Sequence, residues 1–169
     1  KRSLILNSRL IGRTSAHFGF GLLIFGVTSV TSWETEDIRK VEEGESYYLK
    51  SYQIVFKGID YSVEKNFKKV SGSFEVLNEN KLVGILRPEK RLYPSRNEVT
   101  TEASINPTFF NDFYMVLGNK LDENAWVVRT YIKPFISFIW VGVILIAVGG
   151  LFSLLSFTLY KKPKHEVIN

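Results

Sequence analysis

Thr14-Ser15-Ala16-His17-Phe18-Gly19-Phe20-Gly21-Leu22-Leu23-Ile24-Phe25-Gly26-Val27-Thr28-Ser29-Val30 is the stretch whose reading decides the fold. It holds no acid or base apart from one imidazole. Spanning a bilayer core takes about 20 mostly apolar residues, and the run from Thr14 to Trp33 supplies them. An ionisable group at that depth is costly, so it faces protein and has a partner. His17 therefore has two readings. One is a neutral imidazole hydrogen-bonded to a neighbouring helix. The other is a metal ligand, a role imidazole fills more often than any other side chain. Gly12, Ala16 and Gly19 recur at helical spacing and would let a second helix approach closely. Gly21 follows His17 by one turn on the same face, which leaves a gap beside the ring. Packing explains such a gap, and so does a flat ligand.

The flanks extend this reading. Residues 1–13 form a short basic segment with Lys1, Arg2, Arg9 and Arg13 and no acid. Residues 161–169 form a second basic tail with Lys161, Lys162 and Lys164 against Glu166. The two ends sum to +6 in a chain of formal net charge +5, so the middle is −1. Basic ends around a nearly neutral middle are the pattern of two spans with both ends in the cytoplasm, and no nucleic-acid partner is implied. The second apolar run is Phe135–Tyr160, 26 residues without a charge, about 39 Å long if helical. Pro134 is expected in its first turn, where a missing N–H does no harm. Gly142, Gly149 and Gly150 offer close-packing positions, and His165 sits in the polar tail as a solvated residue. A chain beginning at Lys1 without Met reads as a processed product or part of a longer protein. The first run has no cleavage pattern and is followed by a second span, so it reads as a span and not a signal peptide. With no cysteine there is no disulfide, thiol nucleophile or thiolate metal site within this chain.

Between the spans, residues 34–133 read as a mainly β domain outside the cytoplasm. Trp33 marks the interface and Glu34-Thr35-Glu36-Asp37 leads into water. Tyr52, Ile54 and Phe56 alternate with polar neighbours, as do Phe74 and Val76. Asn78-Glu79-Asn80-Lys81 predicts a hairpin turn into Leu82–Leu86. Phe113–Leu117, ended by Gly118-Asn119-Lys120, and Ala125–Ile132 complete the expected strands. The fold class is thus a membrane protein, with transmembrane helices at 14–33 and 134–160 flanking an extracytoplasmic β domain.

The densest polar stretch is Leu86-Arg87-Pro88-Glu89-Lys90-Arg91-Leu92-Tyr93-Pro94-Ser95-Arg96. Its prolines argue against a central strand and for a stiff extended loop. Such a loop is either solvated or a docking surface for carboxylates, through Arg87, Glu89, Lys90 and Arg91. Glu102 has no visible second acid or histidine, so general acid–base catalysis is unsupported. Asp112 and Tyr114 are equally ambiguous. Arg129 and Lys133 lie where the domain would meet the bilayer, facing lipid head groups or a neighbouring helix. There is no GxxxxGK(S/T), HExxH, nucleophile elbow or CxxC.

Ala16-His17-Phe18-Gly19, Leu86 to Tyr93, Thr101-Glu102-Ala103-Ser104-Ile105, Asp112-Phe113-Tyr114, Leu117-Gly118 and Trp126 to Pro134 running into Ile139-Trp140-Val141-Gly142 occur in one order over nearly the whole chain. Together they resemble the C-terminal part of the cytochrome c maturation haem lyase, the CcmF type. The resemblance implies part of a polytopic protein of the bacterial or mitochondrial inner membrane that attaches haem to apocytochrome c, with its β domain facing the periplasm or intermembrane space. It implies His17 as one axial ligand of a transmembrane b-type haem, with Gly21 leaving room for it. The family's upstream half, with its other transmembrane ligand, lies outside this sequence. A partner chain would therefore share the haem, and this chain would not be active alone. The implied partners are that N-terminal half, a haem chaperone, and apocytochrome c with its thiol-handling factors. The competing reading is a non-catalytic, membrane-tethered β domain serving as an assembly or transporter accessory protein.

Overall fold

Two long helices close the ends of the chain: α1, Arg2–Trp33, and α2, Ile136–Tyr160. They form one compact unit, and Trp33–Pro134 forms a second. The computed structural model describes residues 2–122 and 124–160, with side chains described for 9–122 and 124–156. The basic tail at 161–169, with His165, lies outside the described residues.

The helix unit is held by backbone approaching backbone. Gly12, Gly19 and Gly26 recur every seven residues on α1, and Gly142 and Gly149 do so on α2. A Cβ on Gly19 would stand 2.6 Å from the carbonyl oxygen of Gly142, and one on Gly149 would stand 2.5 Å from that of Gly12. Near the other end, a Cβ on Gly26 would lie 2.9 Å from the Ile139 nitrogen, so the helices run antiparallel. A seven-residue repeat keeps such positions on one seam if the helices wrap slightly left-handed. Ser15 Oγ donates to the Leu145 carbonyl at 3.1 Å across the seam. Phe25 meets Phe135 and Phe138, with ring centroids 5.4 and 5.7 Å away. Away from the seam Phe18, Phe20, Ile24, Ile144, Leu151 and Leu154 are exposed. Both helices are long and apolar enough to cross a membrane.

Two boundaries differ from the sequence reading. α1 begins at Arg2 and not at Thr14, so the basic segment is itself helical. Nothing before Thr14 breaks a helix, because Gly12 serves the seam. Pro134 is the last residue of a strand, paired with Asn111, instead of opening α2. Phe135, at φ 60, makes the turn, and the Phe138 N–H donates to its carbonyl at 3.0 Å.

The second unit is a sandwich of ten strands: β1 Thr35–Glu42, β2 Ser46–Leu49, β3 Tyr52–Val63, β4 Lys68–Asn78, β5 Lys81–Leu86, β6 Glu89–Tyr93, β7 Glu98–Glu102, β8 Ser104–Asn106, β9 Asn111–Lys120 and β10 Ala125–Pro134. One sheet has the order β1-β10-β9-β8, the other β2-β3-β4-β6-β7, with β5 pairing the far half of β4. All pairings are antiparallel. The β4–β5 hairpin turns on Glu79 and Asn80, both at positive φ (49° and 62°), as a two-residue hairpin of this twist requires. Glu34–Asp37, read as a polar lead, is largely absorbed into β1, whose fully buried residue is Val41.

Ile54, Phe56, Phe74, Val76 and Leu86 from the larger sheet meet Phe113, Met115, Leu117, Val128 and Ile132 from the smaller. Phe56 and Phe74 stack at 4.5 Å, and Tyr52 meets Phe113 edge-on at 4.7 Å. Among the described residues a fully buried polar contact also joins the sheets: the Tyr47 hydroxyl lies 2.9 Å from Thr130 Oγ1. Burial pushes the Tyr47 phenol from 10.0 to about 12, against the opposing effect of the Thr130 bond.

An unfolded Tyr47 releases its proton from about pH 10, whereas the folded one holds it to about 12. Its contribution to stability is therefore present below pH 10 and falls away up to pH 12, by on the order of 2–3 kcal/mol. Thermal unfolding of the full chain in detergent, followed from pH 9 to 12, should show this fall. Tyr47→Phe should flatten it, and should start about 1 kcal/mol less stable because Thr130 loses its partner.

Candidate functional site

The stretch read as a loop at 86–96 contains an interior strand. β6 is hydrogen-bonded to β4 on one side and to β7 on the other. Pro88 and Pro94 fall just outside it, so neither missing N–H interrupts a ladder. Pro88 still accepts a bond from the Gly72 N–H at 3.0 Å.

The pleat sorts the charges of β6 onto two faces. Outward, Glu89 accepts from Arg91 Nε and Nη2 at 3.1 and 2.9 Å and lies 3.5 Å from Lys69 Nζ. Arg91 also reaches Glu102 at 4.0 Å and lies over the Phe67 ring at 5.0 Å. Its guanidinium is raised above its ordinary value, first by the Glu89 hydrogen bond and further by the nearby carboxylates. Lys69 and Glu102 complete this cluster. The sequence reading missed them because they arrive across strand pairings: Lys69 opposite Arg91, and Glu102 opposite Glu89. Arg87 stands apart, its side chain exposed and its backbone N–H donating to Ser104 Oγ at 2.8 Å.

Inward, Lys90 donates to Asn119 Oδ1 at 2.6 Å. Beyond it the inner face of the larger sheet opens into a groove of about 420 Å³, lined by Tyr61, Val63, Lys68, Val70, Leu92 and Val99. Tyr61 is 63% exposed, Val63 76%, Leu92 36% and Val99 59%, whereas Phe56 and Phe74 on the same face of β3 and β4 are at 0%. A bulge at Lys57, next to Gly58 at φ +139°, shifts the alternation of β3 by one residue. That shift puts Ile59, Tyr61 and Val63 on the face already held by Ile54 and Phe56.

Arg129 and Lys133 lie on the outer face of the smaller sheet. Arg129 Nε is 3.4 Å from Glu36, and the Tyr131 hydroxyl donates to the same carboxylate at 2.9 Å. Lys133 Nζ is 3.4 Å from Glu34 and stands over the rings of Tyr114 and Tyr131. Asp112 accepts from the Thr108 N–H at 3.2 Å, and burial raises its carboxyl above the usual range.

In the helix unit, His17 is exposed and its Nδ1–H donates to the Arg13 carbonyl one turn back at 2.8 Å. The bond is to its own helix, not to the neighbouring one. The ring borders a cleft of about 630 Å³ with Arg9, Gly12, Arg13, Ala16, Gly149, Gly150 and Ser153. Gly21 and Gly150 have no atom within 4 Å of where a Cβ would stand. No group of three or more metal-ligating side chains occurs among the described residues. The site residues thus fall in separate places: Glu89 with Arg91, Lys90 behind them, Arg129 and Lys133 on the other sheet, and His17 in the helix unit.

These features define a β-sandwich carried between two long apolar helices, with a histidine on the first. Residues 32–134 match the family model described as the CcmF C-terminal beta-sandwich, and the chain belongs to that family. It is 39% identical over 143 residues to the cytochrome c-type biogenesis protein ccl1 of Rhodobacter capsulatus, covering 85% of this chain and 22% of the relative. It is 35% identical over 156 residues to the cytochrome c-type biogenesis protein CcmF of Pseudomonas fluorescens, covering 92% and 24%. The Escherichia coli CcmF is 31% identical over 85% of this chain and 22% of its own length. The chain therefore spans between a fifth and a quarter of the curated relatives it matches. A solved structure titled Cytochrome c Heme Lyase CcmF has the same fold, with a TM-score of 0.69 at 19% identity, over 89% of this chain and 25% of that one.

Because Glu89 and Arg91 already neutralise each other, they should act on stability as a pair. Glu89→Gln and Arg91→Gln should each lower it by about 1 kcal/mol, with a coupling of about 0.5 kcal/mol in the double variant. Arg87→Gln should leave it unchanged. Unfolding of the four proteins in one detergent checks this.

Proposed function

We propose that this chain is part of the haem lyase that attaches haem to apocytochrome c, acting with a partner that supplies the family's N-terminal half. Its helices span the bacterial or mitochondrial inner membrane, and the sandwich faces the periplasm or intermembrane space. Support comes from the relatives' names, the two apolar helices and the charge asymmetry of the ends. The remaining partners proposed are apocytochrome c with its thiol-handling factors and a haem chaperone.

The observation that carries the cofactor reading is the His17 cleft. His17 would hold the iron of a b-type haem, a group that when bound would supply one-electron redox chemistry. Donation from Nδ1 to the Arg13 carbonyl fixes the tautomer and orients the ring, which leaves Nε2 as the donor atom. Gly150 leaves space in the cleft, Gly21 leaves its own surface clear one turn further along α1, and Arg9 and Arg13 bring cations that attract carboxylates into the cleft. A further ligand would come from the partner chain. Trp33 lies about 24 Å along the helix from His17, so this site is well separated from the outer end of α1 and suits electron delivery better than attachment.

His17→Ala, coexpressed with the N-terminal partner, should abolish or shift the b-type haem absorption band while membrane insertion persists. A wild-type band and potential would return His17 to a helix-surface residue and favour an accessory role for the chain. For topology, Ser51→Cys should react with an impermeant thiol reagent from outside, and Ser3→Cys only after permeabilisation. The reverse pattern would overturn the orientation.

A further inference from the structure

The larger sheet carries a core pattern past the point where the core ends. Tyr61, Val63, Val70, Leu92 and Val99 share the face that buries Phe56 and Phe74, yet four of the five are substantially exposed. An apolar face continuous with a core marks a place where other chain is meant to sit. The groove's lining also has a sign. Lys68 and Lys90 stand on the groove face and no carboxylate borders it, while Lys69 belongs to the opposite face with Glu89. Lys68 has no ion pair among the described residues, and Lys90 meets only a neutral amide. The opposite face of the same strands carries Glu89, Glu98 and Glu102 together with Lys69 and Arg91, so the cations without a carboxylate partner are those on the groove side. One wall of the groove is Val99 on β7, the last strand of the sheet, whose outer edge pairs with no other strand among the described residues. At 5 residues, β7 offers about 17 Å of edge.

We infer that this groove docks an extended segment of a partner protein, bearing apolar side chains flanked by carboxylates, that adds as a strand along β7. Backbone hydrogen bonds to the β7 edge would hold the segment. Its alternate side chains would cover Val99 and reach Leu92 one strand further in, and its carboxylates would reach toward Lys90 on that same strand. This site is distinct from the His17 cleft, and a haem spectrum does not report on it.

The test uses the full chain in nanodiscs of zwitterionic lipid and the labelled peptide acetyl-Thr-Glu-Thr-Val-Thr-Val-Thr-Glu-Thr-amide, which places both Glu and both Val on one side of a strand. Fluorescence anisotropy should show it binding at least ten-fold more tightly than the counterpart with Lys in place of both Glu. Affinity should fall as salt rises. Lys90→Glu and Leu92→Asp should each weaken binding ten-fold or more. N-methylation of alternate peptide amides tests the strand mode without altering the protein, and should weaken binding as much. Equal binding of the two peptides, no effect of N-methylation, or no binding at millimolar peptide would each overturn the proposal. So would dimerisation of the chain that Leu92→Asp abolishes, which would make a second copy the occupant.

Discussion

Each strand of the sandwich has one face that must leave water, and most of the architecture follows from how far that demand is met. Where the two sheets overlap, Phe56, Phe74, Phe113 and Met115 are fully covered. The polar pair inside that layer, Tyr47 with Thr130, is hydrogen-bonded, as a buried hydroxyl pair must be. Along β3, β4, β6 and β7 the same face runs on without cover. Burying a side chain of the size of Leu or Val is worth roughly 1.5–3 kcal/mol. Leaving several in water is a standing invitation to another surface.

The helix unit solves a different problem. Each helix is apolar on nearly every side along the stretch where the two meet, so hydrophobicity alone cannot choose which faces come together. Shape chooses instead. Glycines at a seven-residue interval let carbonyl oxygens approach to distances that any Cβ would forbid. The same repeat fixes the rotation of α1 and so leaves His17 at the margin of the seam, beside its cleft and exposed to whatever lies outside the pair.

Charge in the sandwich is largely spent within it. Glu89 with Arg91 and Lys69, Glu36 with Arg129, and Glu34 with Lys133 pair across or along strands. Exposed pairs of this kind contribute little to stability. Their consequence is to hold their long side chains in place, whereas Lys68 and Lys90 on the groove face make no ion pair among the described residues.

The two apolar runs were legible from residue order alone, because a twenty-residue window of hydropathy needs no tertiary context. So was the hairpin at Glu79-Asn80, where the turn chemistry is local. Its place as the one ionisable group in an apolar run singled out His17, the likeness of Ala16-His17-Phe18-Gly19 to a family pattern implied its role, and its bond to Arg13 is again local, one helical turn away. The strand nature of Glu89–Tyr93 was hidden because its flanking prolines look like loop markers until β4 and β7 are seen on either side. The groove was hidden by the Lys57 bulge. A single extra residue reverses which side chains of β3 face inward, and register is decided by the partner strand, not by the sequence of the strand itself. The identity of Glu89's partners depended on the same cross-strand pairings. Residue order thus determined the two helices, the β character between them and the candidate histidine. Tertiary structure alone decided which faces met, because pairing and register are properties of two strands at once.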